Sequence, residues 1–164
     1  MADRDSLTLS VDSADSEVSV ALQQAFFTEI ASRYPGWEPT SSQSVEPSEL
    51  APPTGIWIVA YRGGNPVGCG GLQALGSETA EIRRIFLHAS ARGLGIGHAL
   101  LTELERRAQQ LLYQRVRLTT GERQPEALRL FQAAGYREIP AFTQGAFTSH
   151  WMEKTLSDHV QGVS

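Results

Sequence analysis

The sequence predicts a mixed α/β (α+β) domain in which a largely antiparallel central sheet is flanked by helices. Three observations lead there. The β-branched and aromatic run Gly55 to Tyr61 is joined by the polar turn Arg62-Gly63-Gly64-Asn65 to a second extended run, Pro66 to Leu75, the pattern of an antiparallel hairpin. A further extended run, Ala80 to His88, passes through a glycine-rich turn directly into an amphipathic helix. A second strand-then-helix unit begins at Arg115, which completes a layered α/β pattern. At 164 residues the chain suits one domain over 1–164 with one core.

Taken in order, Ser6 to Val11 alternates polar and apolar residues as a half-buried strand does. From about Ser16, Val18, Val20, Ala21, Ala25, Phe26, Ile30 and Ala31 recur at roughly helical spacing until Pro35-Gly36 stops the run. Residues 37–54 carry four prolines and six serines or threonines, so they read as a loop with at most one helical turn, at Pro47 to Leu50. Its length and place suggest a flexible segment over a binding cleft or, equally, a plainly disordered stretch. Gly55 to Tyr61 and Pro66 to Leu75 form the hairpin, and Gly68, Gly70 and Gly71 in its second strand predict a bulge or a close backbone approach. Leu100, Leu101, Leu104, Ala108, Leu111 and Leu112 recur at helical offsets and predict an amphipathic helix. Arg115 to Thr120 alternates as a strand, Pro125 opens a last helix and Gly135 closes it. Short extended pieces near Tyr136 to Ile139 and Ser149 to Thr155 precede a frayed tail from about 157.

Composition narrows the function. Hydrophobic residues are 41% and charged residues 20%, and the net charge is −4 from 14 Lys+Arg against 18 Asp+Glu. With no basic excess, neither nucleic acid nor a membrane surface is an expected partner. Cys69 is the only cysteine, which excludes an intramolecular disulfide and thiolate-rich metal sites. His88, His98 and His150 have no ligand spacing with one another or with Cys69, so no metal site is expected. No signal-like start and no long apolar run occur, so a soluble, cytoplasmic protein is expected.

The most informative window is AEIRRIFLHASARGLGIGHALL, from 80 to 101. The first N–H groups of a helix have no internal acceptor and sit at its positive end, so a glycine-rich strand-to-helix turn favours phosphate. A Walker loop is excluded because His98 and Ala99 follow Gly97. A dinucleotide G-x-G-x-x-G fails in both frames, at His98 and at Leu100.

What matches is Gln/Arg-x-x-Gly-x-Gly/Ala, met by Arg92, Gly95 and Gly97. In its strand–loop–helix setting, and with LFQAAGY following at 130–136, this window resembles the acyl-CoA signature of the GCN5-related N-acetyltransferase (GNAT) family. The resemblance covers about residues 66–140. It implies a single acyl-CoA-dependent N-acyltransferase domain with acetyl-CoA as cosubstrate. Main-chain groups of Ile85, Phe86 and Leu87 would meet pantetheine, and Arg92, Gly93, Leu94, Gly95, Ile96 and Gly97 would bind the pyrophosphate. Gln124 stands where many members carry a cofactor-touching asparagine, and Phe131 where many carry the tyrosine that protonates the departing thiolate.

Phe131 has no proton to give, and Tyr136 would replace that acid only if its hydroxyl reaches the cleft. Glu81 lies eleven residues before Arg92, which resembles the placement of the catalytic glutamate in histone-type members. It is the candidate base, set against an exposed carboxylate paired with Arg83. Glu78, in the preceding turn, is a weaker candidate. Arg83 and Arg84, as strand neighbours, are expected on opposite faces, so that one could clamp an acceptor carboxylate, the alternative being a solvated arginine.

The function read from this is acetyl transfer to a primary amine of a small molecule or a protein. The alternatives are an inert acyl-CoA sensor, which Phe131 permits, and a transferase for longer acyl groups. Relatives often dimerise through C-terminal strands, and the apolar FTSHWMEKTL would suit a homodimer.

Overall fold

A computed structural model describes residues 6–38, 44–145 and 147–156. The middle of the expected 37–54 loop, residues 39–43, and the expected tail from 157 lie outside the described residues. Strands β1 (Leu7–Val11), β2 (Ile56–Arg62), β3 (Asn65–Ala74), β4 (Thr79–Leu87), β5 (Arg115–Thr120), β6 (Arg137–Glu138) and β7 (His150–Thr155) form one sheet in the order β1-β2-β3-β4-β5-β7-β6. Neighbours are antiparallel except for β4 and β5, which run parallel. Helix α1 (Glu17–Arg33) covers one face, and α2 (Ile96–Gln110) and α3 (Pro125–Ala133) stand on the other.

The expected amphipathic helix is α2: Leu100, Leu101, Leu104 and Ala108 are buried against Ile58, Leu72, Ala80, Val116 and Leu118. At about 1.5–3 kcal/mol for each large apolar side chain fully removed from water, this face is the main adhesive of the sheet. The opposite core joins Leu22 of α1 to Trp57, Val59, Cys69 and Phe86.

Helix α1 buries Ser19, Leu22, Gln23 and Ile30 and leaves Val20 exposed. Two inward positions are polar because each has a partner inside. Trp57, fully buried, donates its indole N–H to the Ser19 hydroxyl at 2.9 Å, and Gln23 donates to the carbonyls of Ala14 and Ser19 at 2.8 and 3.1 Å. Ser16 caps the helix by accepting from the Ser19 N–H.

The glycines of β3 answer to close packing. A side chain at Gly71 would collide with the ring of Trp57, and one at Gly68 with the carbonyl of Phe86. The pairing of β3 with β4 also shifts here: Cys69 lies opposite Phe86 and Gly71 opposite Arg83, so Arg84 and Ile85 together face Gly70. That is a β-bulge, and Arg84 takes the left-handed φ of 56° within it.

The 3₁₀ turn Pro47–Leu50 forms as expected and is anchored. Leu50 is 1% exposed beside Trp57, and Glu49 accepts from Gln73 at 2.7 Å. At the other end of the sheet, β7 is paired on both sides at Met152 and Glu153.

Candidate active site

The parallel pair of β4 and β5 is short. Thr79, Ala80 and Glu81 face Arg115, Val116 and Arg117, and the register ends there. Beyond it β5 pairs only with β7, while β4 passes through its bulge and diverges. Two cavities open in the resulting split. One, of about 370 Å³, is walled by Ile85, Phe86 and Leu87 of β4, by the glycine loop and by Leu130 of α3. The other, of about 230 Å³, lies between the end of α1, the middle of β4 and the end of β5. They meet at Phe26, Ile85, Gln124, Ala127 and Phe131, which line both.

The larger cavity carries the features of an anion site. Gly93 and Gly95 have φ of 79° and 80°, a conformation that costs an L-residue about 1–2 kcal/mol. A side chain at either would project into open space. Gly95 is the N-cap of α2, no side chain caps that end, and its first turn holds no acidic residue. The N–H groups of the first turn are therefore left for a ligand. Gly93, Gly95 and Gly97 line the cavity as the sequence predicts, whereas Leu94 and Ile96 do not. Leu94 is 52% exposed, and Ile96 is buried with Ala60 and Ala91, anchoring the loop.

Arg92 also lines this cavity, but its guanidinium is already engaged. Nε donates to the carbonyl of Leu87 at 3.1 Å, and Nη2 donates to both carboxylate oxygens of Glu29 at 2.7 Å. Glu126 of α3 lies 3.8 Å from Nη1 and 2.5 Å from Arg33. Two arginines and two carboxylates thus tie α1, the loop and α3 together at one wall. Gln124 sits where the cavities join, and its carboxamide makes no hydrogen bond among the described residues.

Glu81 stands at the apex of the split, the last residue of β4 paired with β5. It is 7% exposed, and burial raises its pKa while Arg83, at 4.0 Å, partly opposes this. Neither cavity is lined by Glu81 itself, but its neighbours Ile82 and Arg83 form part of the smaller one.

Phe131 is buried between the cavities, and Tyr136 packs behind it at 6.1 Å between ring centroids. The Tyr136 hydroxyl donates to Glu105 at 3.0 Å and lines neither cavity. Burial, with Glu105 beside it, pushes the phenol far above its usual range. The sole tyrosine among the described residues that lines a cavity is Tyr34, whose oxygen accepts from the Arg123 N–H at 3.0 Å.

The expectation that Arg83 and Arg84 point to opposite faces is corrected by the bulge. An extra residue breaks the two-residue alternation, so both side chains turn to the α1 side. Arg83 donates to Gln73 at 2.7 Å and Arg84 to Gln23 of α1 at 2.6 Å. Sequence reasoning did not reach the aromatic wall of the smaller cavity, chiefly Phe27, Trp37 and Phe147. Only the gathering of aromatic residues near 26–37 hinted at it.

The split beyond the parallel pair thus sets a glycine-rich strand-to-helix loop beside an open cavity. The profile of the Acetyltransferase (GNAT) family matches residues 21–136, and the chain belongs to that family: it is an acyl-CoA-dependent acetyltransferase with acetyl-CoA as cosubstrate. An IAA acetyltransferase of Azospirillum brasilense is 32% identical over 104 residues, covering 62% of this chain and 67% of that protein. An amino-acid acetyltransferase of Mycobacterium tuberculosis is 38% identical over 86 residues, 51% of this chain but only 47% of that protein. The fold matches a GNAT-family acetyltransferase from Staphylococcus aureus Mu50, with TM-score 0.76, 16% identity, and coverage of 93% and 100% of the two chains. It also matches one from Elizabethkingia anophelis solved with acetyl-CoA bound, with TM-score 0.65, 18% identity, and coverage of 92% and 98%. Among the described residues no group of three or more His, Cys, Asp or Glu is gathered to hold a metal, and no helix is long and apolar enough to cross a membrane.

Proposed function

We propose that the chain transfers the acetyl group of acetyl-CoA to a primary amine by direct attack within a ternary complex. The observation that carries this reading is the meeting of two cavities in the split between β4 and β5, one suited to an anionic cosubstrate and one to an acceptor. Acetyl-CoA supplies the activated acyl group. The first-turn N–H groups of α2 and the loop from Arg92 to Gly97 hold its pyrophosphate, and the main chain of Ile85, Phe86 and Leu87 holds its pantetheine arm. Gln124 and Phe131 flank the point where acyl group and amine meet.

An amine must be neutral to attack. For a lysine-like pKa of about 10.4, deprotonation at pH 7 costs roughly 4.6 kcal/mol. Glu81 takes that proton through a water, and its burial raises the carboxylate toward the range in which a base works near neutrality. No tyrosine stands at position 131, so the thiolate leaves without that acid. A CoA thiol with a pKa near that of cysteine, about 8.5, is a tolerable leaving group.

The test is release of free thiol on mixing the protein with acetyl-CoA and a panel of amines, together with thermal shifts for acetyl-CoA, CoA, NAD and ATP. Amine-dependent thiol release and stabilisation by the two CoA species alone are expected. Stabilisation without release for every amine would make the protein a sensor instead, and equal stabilisation by NAD would remove the cosubstrate assignment.

A further inference from the structure

We propose that the acceptor is an amine that also carries a carboxylate and an apolar side group, with Arg84 receiving the carboxylate; this rests on the acetyltransferase reading above. Arg83 and Arg84 are the charged side chains that line the acceptor cavity, and no acidic residue among the described ones joins them. A polycation or a second ammonium group would meet repulsion from the Arg84 guanidinium there, whereas an anion is attracted.

Arg84 is built to receive it. The side chain of Gln23 is fixed by donating to two main-chain carbonyls, which leaves its oxygen to accept from Arg84 Nη1 at 2.6 Å. The guanidinium lies 4.9 Å from the centre of the Phe27 ring. A guanidinium has five N–H donors in a planar fork, and the Gln23 bond uses one of them. No carboxylate among the described residues lies within ion-pair distance of Arg84. Burial and the adjacent Arg83 both pull it below its ordinary value of 12.5, the mark of a cation lacking a counter-ion. Its backbone is held at φ 56°, which a residue with a side chain adopts only where its surroundings enforce it. That strain delivers a second arginine to a face that strict alternation would deny it.

The rest of the cavity fixes the remaining chemistry. Phe26, Phe27, Trp37 and Phe147 supply an apolar, largely aromatic wall, which suits a branched or aromatic side group. The Thr120 hydroxyl, buried in the same lining, has no hydrogen-bond partner among the described residues and offers the ligand a polar contact. An α-amino acid with an apolar side chain satisfies all three features.

The experiment compares L-phenylalanine and L-leucine with their amides and with phenethylamine and 3-methylbutylamine, by thiol release and by calorimetry on the CoA-bound protein. The amides remove the charge while keeping a less basic, readily deprotonated amine, so a preference for the acids cannot come from amine basicity. We expect kcat/KM for the acids to exceed that for amides and amines by on the order of 10- to 100-fold, the worth of a charge-assisted bidentate contact. In Arg84→Gln that preference collapses toward one, mainly through KM, and in Arg84→Lys it is partly regained. Gln at 84 adds no backbone penalty that Arg does not already bear, and acetyl-CoA affinity checks the fold of each variant.

Turnover of the amides as fast as the acids, or an Arg84→Gln loss equal for all acceptors, overturns the carboxylate site while leaving the acetyltransferase reading intact. Binding of the acids without thiol release does the reverse. Failure of the acids both to bind and to react overturns this inference even if another amine is acetylated.

Discussion

Arg92 and Glu29 join the glycine loop to α1 through a bidentate ion pair, with both Nη2···O distances at 2.7 Å. Glu29 and Glu126 thereby place two carboxylates on the wall of a cavity proposed to hold a pyrophosphate. They neutralise arginines that would otherwise face the ligand.

Glu29→Gln should therefore tighten CoA binding. Partly exposed pairs of this kind are worth about 0.2–1 kcal/mol, so the dissociation constant should fall by roughly 1.5- to 5-fold, most clearly at low salt. Calorimetry at two ionic strengths checks this. Weaker binding in the variant would mean that the tie to α1 is what shapes the loop.

Gly95→Ala should lower CoA affinity about tenfold or more. Its φ of 80° penalises any side chain, and the added methyl group would occupy the open space before the α2 N-terminus. Gly97→Ala should cost less, because its φ is not left-handed and its methyl group meets the Leu130 side chain, which itself lines the cavity, at 3.3 Å. Equal affinities for Gly95→Ala and the parent protein would move the pyrophosphate elsewhere.

Burial makes Glu81 a liability for stability and an asset for chemistry. Its folded-state pKa is raised, so between the unfolded value of about 4.3 and that raised value the folded state binds more protons than the unfolded one. Stability contributed at this site therefore falls as pH rises through the window and levels off above it. Glu81→Gln carries no such charge and should match the parent near pH 4, then equal or exceed it at pH 7 in urea melts. Greater instability of the variant at pH 7 would show that the pairing with Arg83 outweighs desolvation.

The kcat profile should rise with pH, with a midpoint above the ordinary carboxylate value of 4.5, and then reach a plateau. No falling limb is expected, because Phe131 cannot donate and Tyr136 is turned to Glu105. An alkaline limb that vanished in Tyr34→Phe would identify Tyr34 as an acid.

The sequence showed its elements wherever local pattern and tertiary role agree. The leucine face of α2, the hairpin turn at 62–65 and the proline start of α3 each carry their own signal, as does the loop at 92–97. Helix α1 was legible as a helix but not in its burial, since Ser19 and Gln23 face inward for partners, Trp57 and Arg84, that are distant in sequence. Strict alternation misplaced Arg84 because one extra residue in β4 reverses every face beyond it, and the glycines of β3 gave only its general location. The acceptor cavity draws on α1, β4, β5 and the chain near Phe147, and no single segment carries enough of it to form a motif.

The most direct test of the account is the turnover of Glu81→Gln measured beside its affinity for acetyl-CoA. If Glu81 accepts the amine proton at the apex of the split, kcat falls by roughly 10²- to 10⁴-fold while the acetyl-CoA dissociation constant stays within about twofold of the parent. An undiminished rate, or a loss traced wholly to acetyl-CoA binding, would contradict it.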